Sequence, residues 1–148
     1  MIAVVDHLNA HHASSPILVR LVTHRIEFYE PLLKMSEGRS LGQCWFGPSG
    51  SAAGYWLTRA AAETLIKSLQ PGYLPFDIAI ERAWETGVAN YVVRPNVCAI
   101  RGTGHSTINS TAPAHHKKPV WYKRLGAAQF RTRALFARIF WCMLHRKI

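Results

Sequence analysis

A chain of 148 residues with 49% hydrophobic content has the material for one domain with a real core, which excludes a disordered tail. No stretch approaches the roughly 20 apolar residues of a membrane span, and the N-terminus lacks the basic-then-apolar pattern of a secretion signal, so the expected location is the cytoplasm. The net charge of +10 is uneven: all eight acids lie between Asp6 and Glu85 and give that part a sum of −1, whereas the remainder holds eleven basic residues and no acid. That asymmetry points to an anionic partner for the back end, either a membrane surface or nucleic acid.

Residues 1–15 carry Asp6, His7, His11 and His12 among small residues without a sustained period, and an irregular start is expected. Histidine and aspartate are good zinc or manganese ligands, so a metal site is the alternative to a frayed or rearranged start. Pro16 to Thr23, with Ile17, Leu18, Val19, Leu21 and Val22, predicts a strand. Phe28, Tyr29, Leu32 and Leu33 predict a short amphipathic turn inside a mixed segment, and Ser36-Glu37-Gly38 a loop. Leu41 to Phe46 predicts a second strand.

The run from Gly47 to Glu85 is the centre of the chain. Gly47, Pro48, Gly50 and Gly54 supply a tight turn, and Tyr55, Trp56 and Leu57 predict a short buried strand. Thr58 is placed to cap a helix over Ala60 to Leu69, with Ala61, Leu65, Ile66 and Leu69 on one face. Gln70-Pro71-Gly72 ends it. Pro75 then presents Asp77 at the start of a second helix whose Ile78, Ile80, Ala83 and Trp84 pack inward. Thr86-Gly87 breaks that helix, Val88 to Val93 predicts a strand closed by Pro95, and Val97 to Ile100 another short one. Residues 111–120 form a linker rich in Pro, His and Lys. From Trp121 to Ile148, large apolar residues alternate with arginines and predict a basic amphipathic helix. It can lie in a membrane interface with Phe140 and Trp141 inserted, or dock on the domain and solvate its arginines. Cys44, Cys98 and Cys142 are odd in number and share no ligand spacing, so buried or idle thiols are expected rather than a disulfide framework.

The combination G-P-S-G-x-A-A-G-Y-W-L-T-R-x-A-A-E-x-L followed by L-P-F-D resembles the C-terminal half of glycosyltransferase family 25, which includes bacterial lipopolysaccharide and lipooligosaccharide sugar transferases. The resemblance covers about Ile17 to Ile108. It implies an α/β fold, the C-terminal part of a GT-A-like nucleotide-diphospho-sugar transferase, over residues 16–110, with residues 121–148 as an appended helix. The implied function is transfer of a galactose or glucose from a nucleotide-sugar to a saccharide or lipid-linked acceptor in envelope glycan assembly, at the inner face of the bacterial cytoplasmic membrane. The resemblance makes Asp77 the catalytic candidate, as general base or as a group ordering the metal–donor complex. It also puts His105, Ser106 and Thr107 near the mouth of the site.

Gly50, Gly54 and Tyr55 can line a sugar pocket by close backbone approach, and Arg59 can meet a phosphate or the acceptor. The structural alternatives are a turn required by strand packing, an Arg59 paired with Glu63, and an Asp77 that caps its own helix. The complete family enzyme is expected to use Mn2+ or Mg2+ held by an acidic pair in its N-terminal half. The two aspartates here, Asp6 and Asp77, are far apart, so no metal is expected on this chain alone and a second chain would have to supply the donor half. A non-catalytic remnant or interaction subunit is the second reading. Nucleic-acid binding is third, because the arginines share their helix with too many large apolar side chains for a phosphate-tracking face.

Overall fold

The computed structural model describes residues 2–12, 14–23, 27–47, 53–69, 74–98, 122 and 125–146. In chain order they form α1 (Ile2–His12), β1 (Ile17–Arg20), β2 (Glu27–Lys34), β3 (Ser40–Phe46), β4 (Tyr55–Leu57), α2 (Arg59–Ser68), α3 (Phe76–Ala79), α4 (Ala83–Thr86), β5 (Ala89–Arg94) and α5 (Leu125–Leu144). The fold is mixed α/β. Its five-stranded sheet has the order β2-β3-β5-β1-β4. Only β1 and β5 run parallel; the β1–β4, β3–β5 and β2–β3 pairs are antiparallel.

Successive residues of a strand point to opposite faces, so a strand covered on both sides reads as an unbroken apolar run. That is why Ile17, Leu18 and Val19 are all buried. Ile17 and Val19 join Leu41, Tyr91, Val93 and Met35 under Val4 and Leu8 of α1. Leu18 faces the other way, against Ala61 and Leu65 of α2, Ile80 and Val88. Thr58 caps α2 as expected, its hydroxyl accepting from the Ala61 amide at 3.1 Å. The same hydroxyl donates to the Ser15 carbonyl at 2.7 Å and accepts from the Ile17 amide at 3.3 Å, fastening α2 to the entrance of β1.

The elements depart from the sequence reading at four places. Residues 2–12 are helical rather than irregular: Val4 and Leu8 are fully buried, and a helix docked through two positions four apart carries no longer period to detect. The segment expected as a short turn around Phe28 to Leu33 is the edge strand β2, with a register shift between Pro31 and Leu33. An edge strand at a bulge tolerates proline, whose missing N–H has no second neighbour to serve. The helix expected from Asp77 is divided into α3 and α4 by a turn at Ile80 and Glu81, both of which are buried. Val97 and Cys98 lie in a bend rather than a strand. There Asn96 holds Thr23, its amide donating to the Thr23 carbonyl at 3.0 Å, and the Val97 amide reaches the Leu21 carbonyl at 2.9 Å.

Candidate functional site

Three of the sequence-predicted residues meet at the C-terminal end of β1. Tyr55 is the register partner of Arg20, and the Gly54 carbonyl accepts from the Leu21 amide at 3.0 Å. The Tyr55 ring lies 6.5 Å from that of Phe76, at 48°. Asp77 is the next residue along, half-buried, with one carboxylate oxygen accepting from the Ile78 amide at 3.0 Å. Tyr55 and Phe76 are 37% and 53% exposed, so two aromatic faces stand open beside a carboxylate. Aromatic faces suit the C–H side of a pyranose ring and a carboxylate suits its hydroxyls, so this arrangement has the chemistry of saccharide contact.

Arg20 ties that corner together from below. Its guanidinium donates to the Asp77 carbonyl at 3.0 Å and pairs with the Glu81 carboxylate at 3.0 Å. Arg138 of α5 pairs with the other oxygen of Glu81 at 3.0 Å and stacks over Trp84, 5.6 Å from its ring centre. Arg20 and Glu81 side chains are 2% exposed. Burial lowers the Arg20 pKa most strongly and Arg138 adds to that, while Glu81 and then Asp77 oppose it. A Cβ added to Gly47 would overlap the Arg138 guanidinium, so the first glycine of the turn motif is where the backbone passes against this cluster.

The other predicted residues are elsewhere. Arg59 is at the opposite end of β4, beside the start of β1, where it is almost fully exposed and pairs with Glu63 at 2.9 Å. Gly50, His105, Ser106 and Thr107 lie outside the described residues. Beneath the corner, Arg20, Glu81, Asn90, Trp141 and the two thiols of Cys44 and Cys142 border a space of about 30 Å³. That is the scale of one water and excludes a sugar ring. A wider hollow of about 350 Å³ lies between Ser68, Leu74, Arg82 and Thr86. Neither hollow includes Tyr55 or Asp77.

Among the described residues, no three His, Cys, Asp or Glu side chains converge as a cation site, and Asp77 is the one carboxylate described at the aromatic corner. No chemical step is derived through a divalent metal. Sequence reasoning passed over Arg20 and Glu81. The signal was present: an arginine inside the apolar run Ile17 to Val22 requires a buried acid, and Glu81 follows the apolar Ile78 to Ile80. No protein-family model, curated protein or solved structure matches the chain.

Proposed function

We propose that this chain is the acceptor-side part of a family 25-like hexosyltransferase with a GT-A-like architecture, holding a saccharide at the Tyr55–Phe76–Asp77 corner. The observation that carries the reading is the meeting of the glycine-turn strand and the proline-presented carboxylate at one end of β1, with two open aromatic rings between them. In that reading the rings hold the acceptor sugar, and Asp77 takes the proton of the attacking hydroxyl as it bonds to the donor's anomeric carbon and the nucleotide diphosphate leaves. Arg20 acts as a positioning residue, fixing the Asp77 backbone without touching the sugar. A second reading keeps the binding and drops the turnover; it is favoured by the Ile78 amide, which donates to one Asp77 oxygen within the first turn of α3.

The test is saturation-transfer NMR with galactose- and glucose-terminated oligosaccharides. Saccharide contact is expected for the native chain. Tyr55→Ala or Phe76→Ala should weaken it by roughly three- to tenfold, equivalent to about 1 kcal/mol, and Asp77→Asn by a similar factor. Arg59→Gln should leave it unchanged. No contact by the native chain, or equal loss in the Arg59 variant, sinks the proposal. Hexose transfer on adding a separately made donor half, lost in Asp77→Asn, separates the enzymatic reading from the binding one.

A further inference from the structure

The helix α5 docks by one side and leaves the other apolar side bare. Its inward residues are Arg138, paired with Glu81, and Cys142, whose thiol donates to the Cys44 carbonyl at 3.8 Å. Trp141 is half-buried and stacked on His145, with ring centres 3.9 Å apart, so it is not available for insertion as the sequence suggested. Away from these lie Leu125, Phe136, Phe140, Met143 and Leu144, all between 57% and 65% exposed. At 100° per residue, Phe136, Phe140, Met143 and Leu144 fall within one stripe that also takes in Leu125 and Arg133. Arg133 is exposed within the stripe, Arg131 is exposed on the opposite side at the azimuth of Arg138 and Cys142, and the helix carries no acid.

We infer that this stripe is a docking surface for an anionic lipid bilayer, with α5 lying in the plane of the interface, Phe136, Phe140, Met143 and Leu144 in the acyl boundary and Arg133 reaching up to the headgroups. Charge selects the occupant. A second copy docked face to face would bring together two chains that each carry a net charge of +10. An anionic surface turns the same charges into attraction and accepts apolar side chains of this size. The helix has the form for lying flat: no helix among the described residues is long and apolar enough to cross a membrane. This surface is independent of the sugar-transfer reading and stands or fails separately.

The experiment is co-sedimentation of the full chain with large vesicles of phosphatidylcholine, with and without about a third of phosphatidylglycerol. Binding to the anionic vesicles and little to the neutral ones is expected. The double variant F136Q/F140Q should weaken it by about tenfold or more and R133Q by roughly fivefold, with unchanged far-ultraviolet circular dichroism. As the substituted residues are exposed, a Trp141→Phe variant serves as the control that should bind like the native chain. Equal binding to neutral vesicles, no binding to either, or retained binding in F136Q/F140Q overturns the inference. So does a dimer in sedimentation velocity that F136Q/F140Q dissolves, which would assign the stripe to a second copy.

Discussion

Glu81 receives two guanidinium groups where almost no solvent reaches, from Arg20 at 3.0 Å and Arg138 at 3.0 Å. Such clusters gain little over an apolar core of the same volume, yet removing one member leaves uncompensated charge in a poorly solvated space. Glu81→Ala strands two facing cations and is expected to lower the unfolding free energy by about 3–5 kcal/mol in a urea titration. Arg138→Met should cost less, since Arg20 and Glu81 remain paired. At this scale the sequence was partly legible. The Thr58 cap and the place of Asp77 behind Pro75 at a helix start are local signals. Glu81 pairs with partners 61 and 57 positions away, and no local pattern joins them.

The elements follow the same division between local and distant information. Strands β1, β3 and β4, helix α2 and the Gly87 stop are readable because apolar alternation, a hydroxyl cap and a left-handed glycine at φ 73° are written in adjacent residues. Helix α1 and strand β2 are not. Their residues are mixed in polarity, and each is fixed by what covers it: β2 by pairing with β3, α1 by the sheet face under Val4 and Leu8. Gly42, opposite Pro31, allows the β2–β3 approach because a Cβ there would fall on the Glu30 carbonyl. If α1 is an integral part of the core, Leu8→Ala should cost about 2–5 kcal/mol in chemical denaturation, whereas an irregular terminus would show almost none. Gly50 and the segment holding His105 to Thr107 lie outside the described residues.

For the molecule as a whole, the thiols report whether the sheet and α5 stay together. Cys44 of β3 and Cys142 of α5 are buried against each other's strands and helix, and burial pushes each up from 9.0 to about 11. Cys98 is exposed. An aromatic disulfide reagent at pH 8 should therefore label one thiol at once and the other two only on unfolding. The sign of the pH dependence follows. Between about 9 and 11 the unfolded chain has lost thiol protons that the folded one keeps, so stability falls as pH rises through that window and is unaffected by these groups below it. The drop should reach roughly 2–3 kcal/mol per thiol, and Cys44→Ala with Cys142→Ala should flatten the alkaline limb of a denaturation profile.

The parallel pairing of β1 with β5 has a further outcome in time rather than energy. Residues Ile17 and Ala89 are neighbours in the sheet, yet everything that builds β2, β3, β4 and α2 is synthesised between them. Until Ala89 to Arg94 leaves the ribosome, the chain can make only two separate ribbons, one from β2 and β3 and one from β1 and β4, each with an unpaired margin where β5, the last element but one, has yet to arrive. A late central strand of this kind makes assembly wait on the longest loop closure within the sheet and leaves sticky borders open to other chains meanwhile.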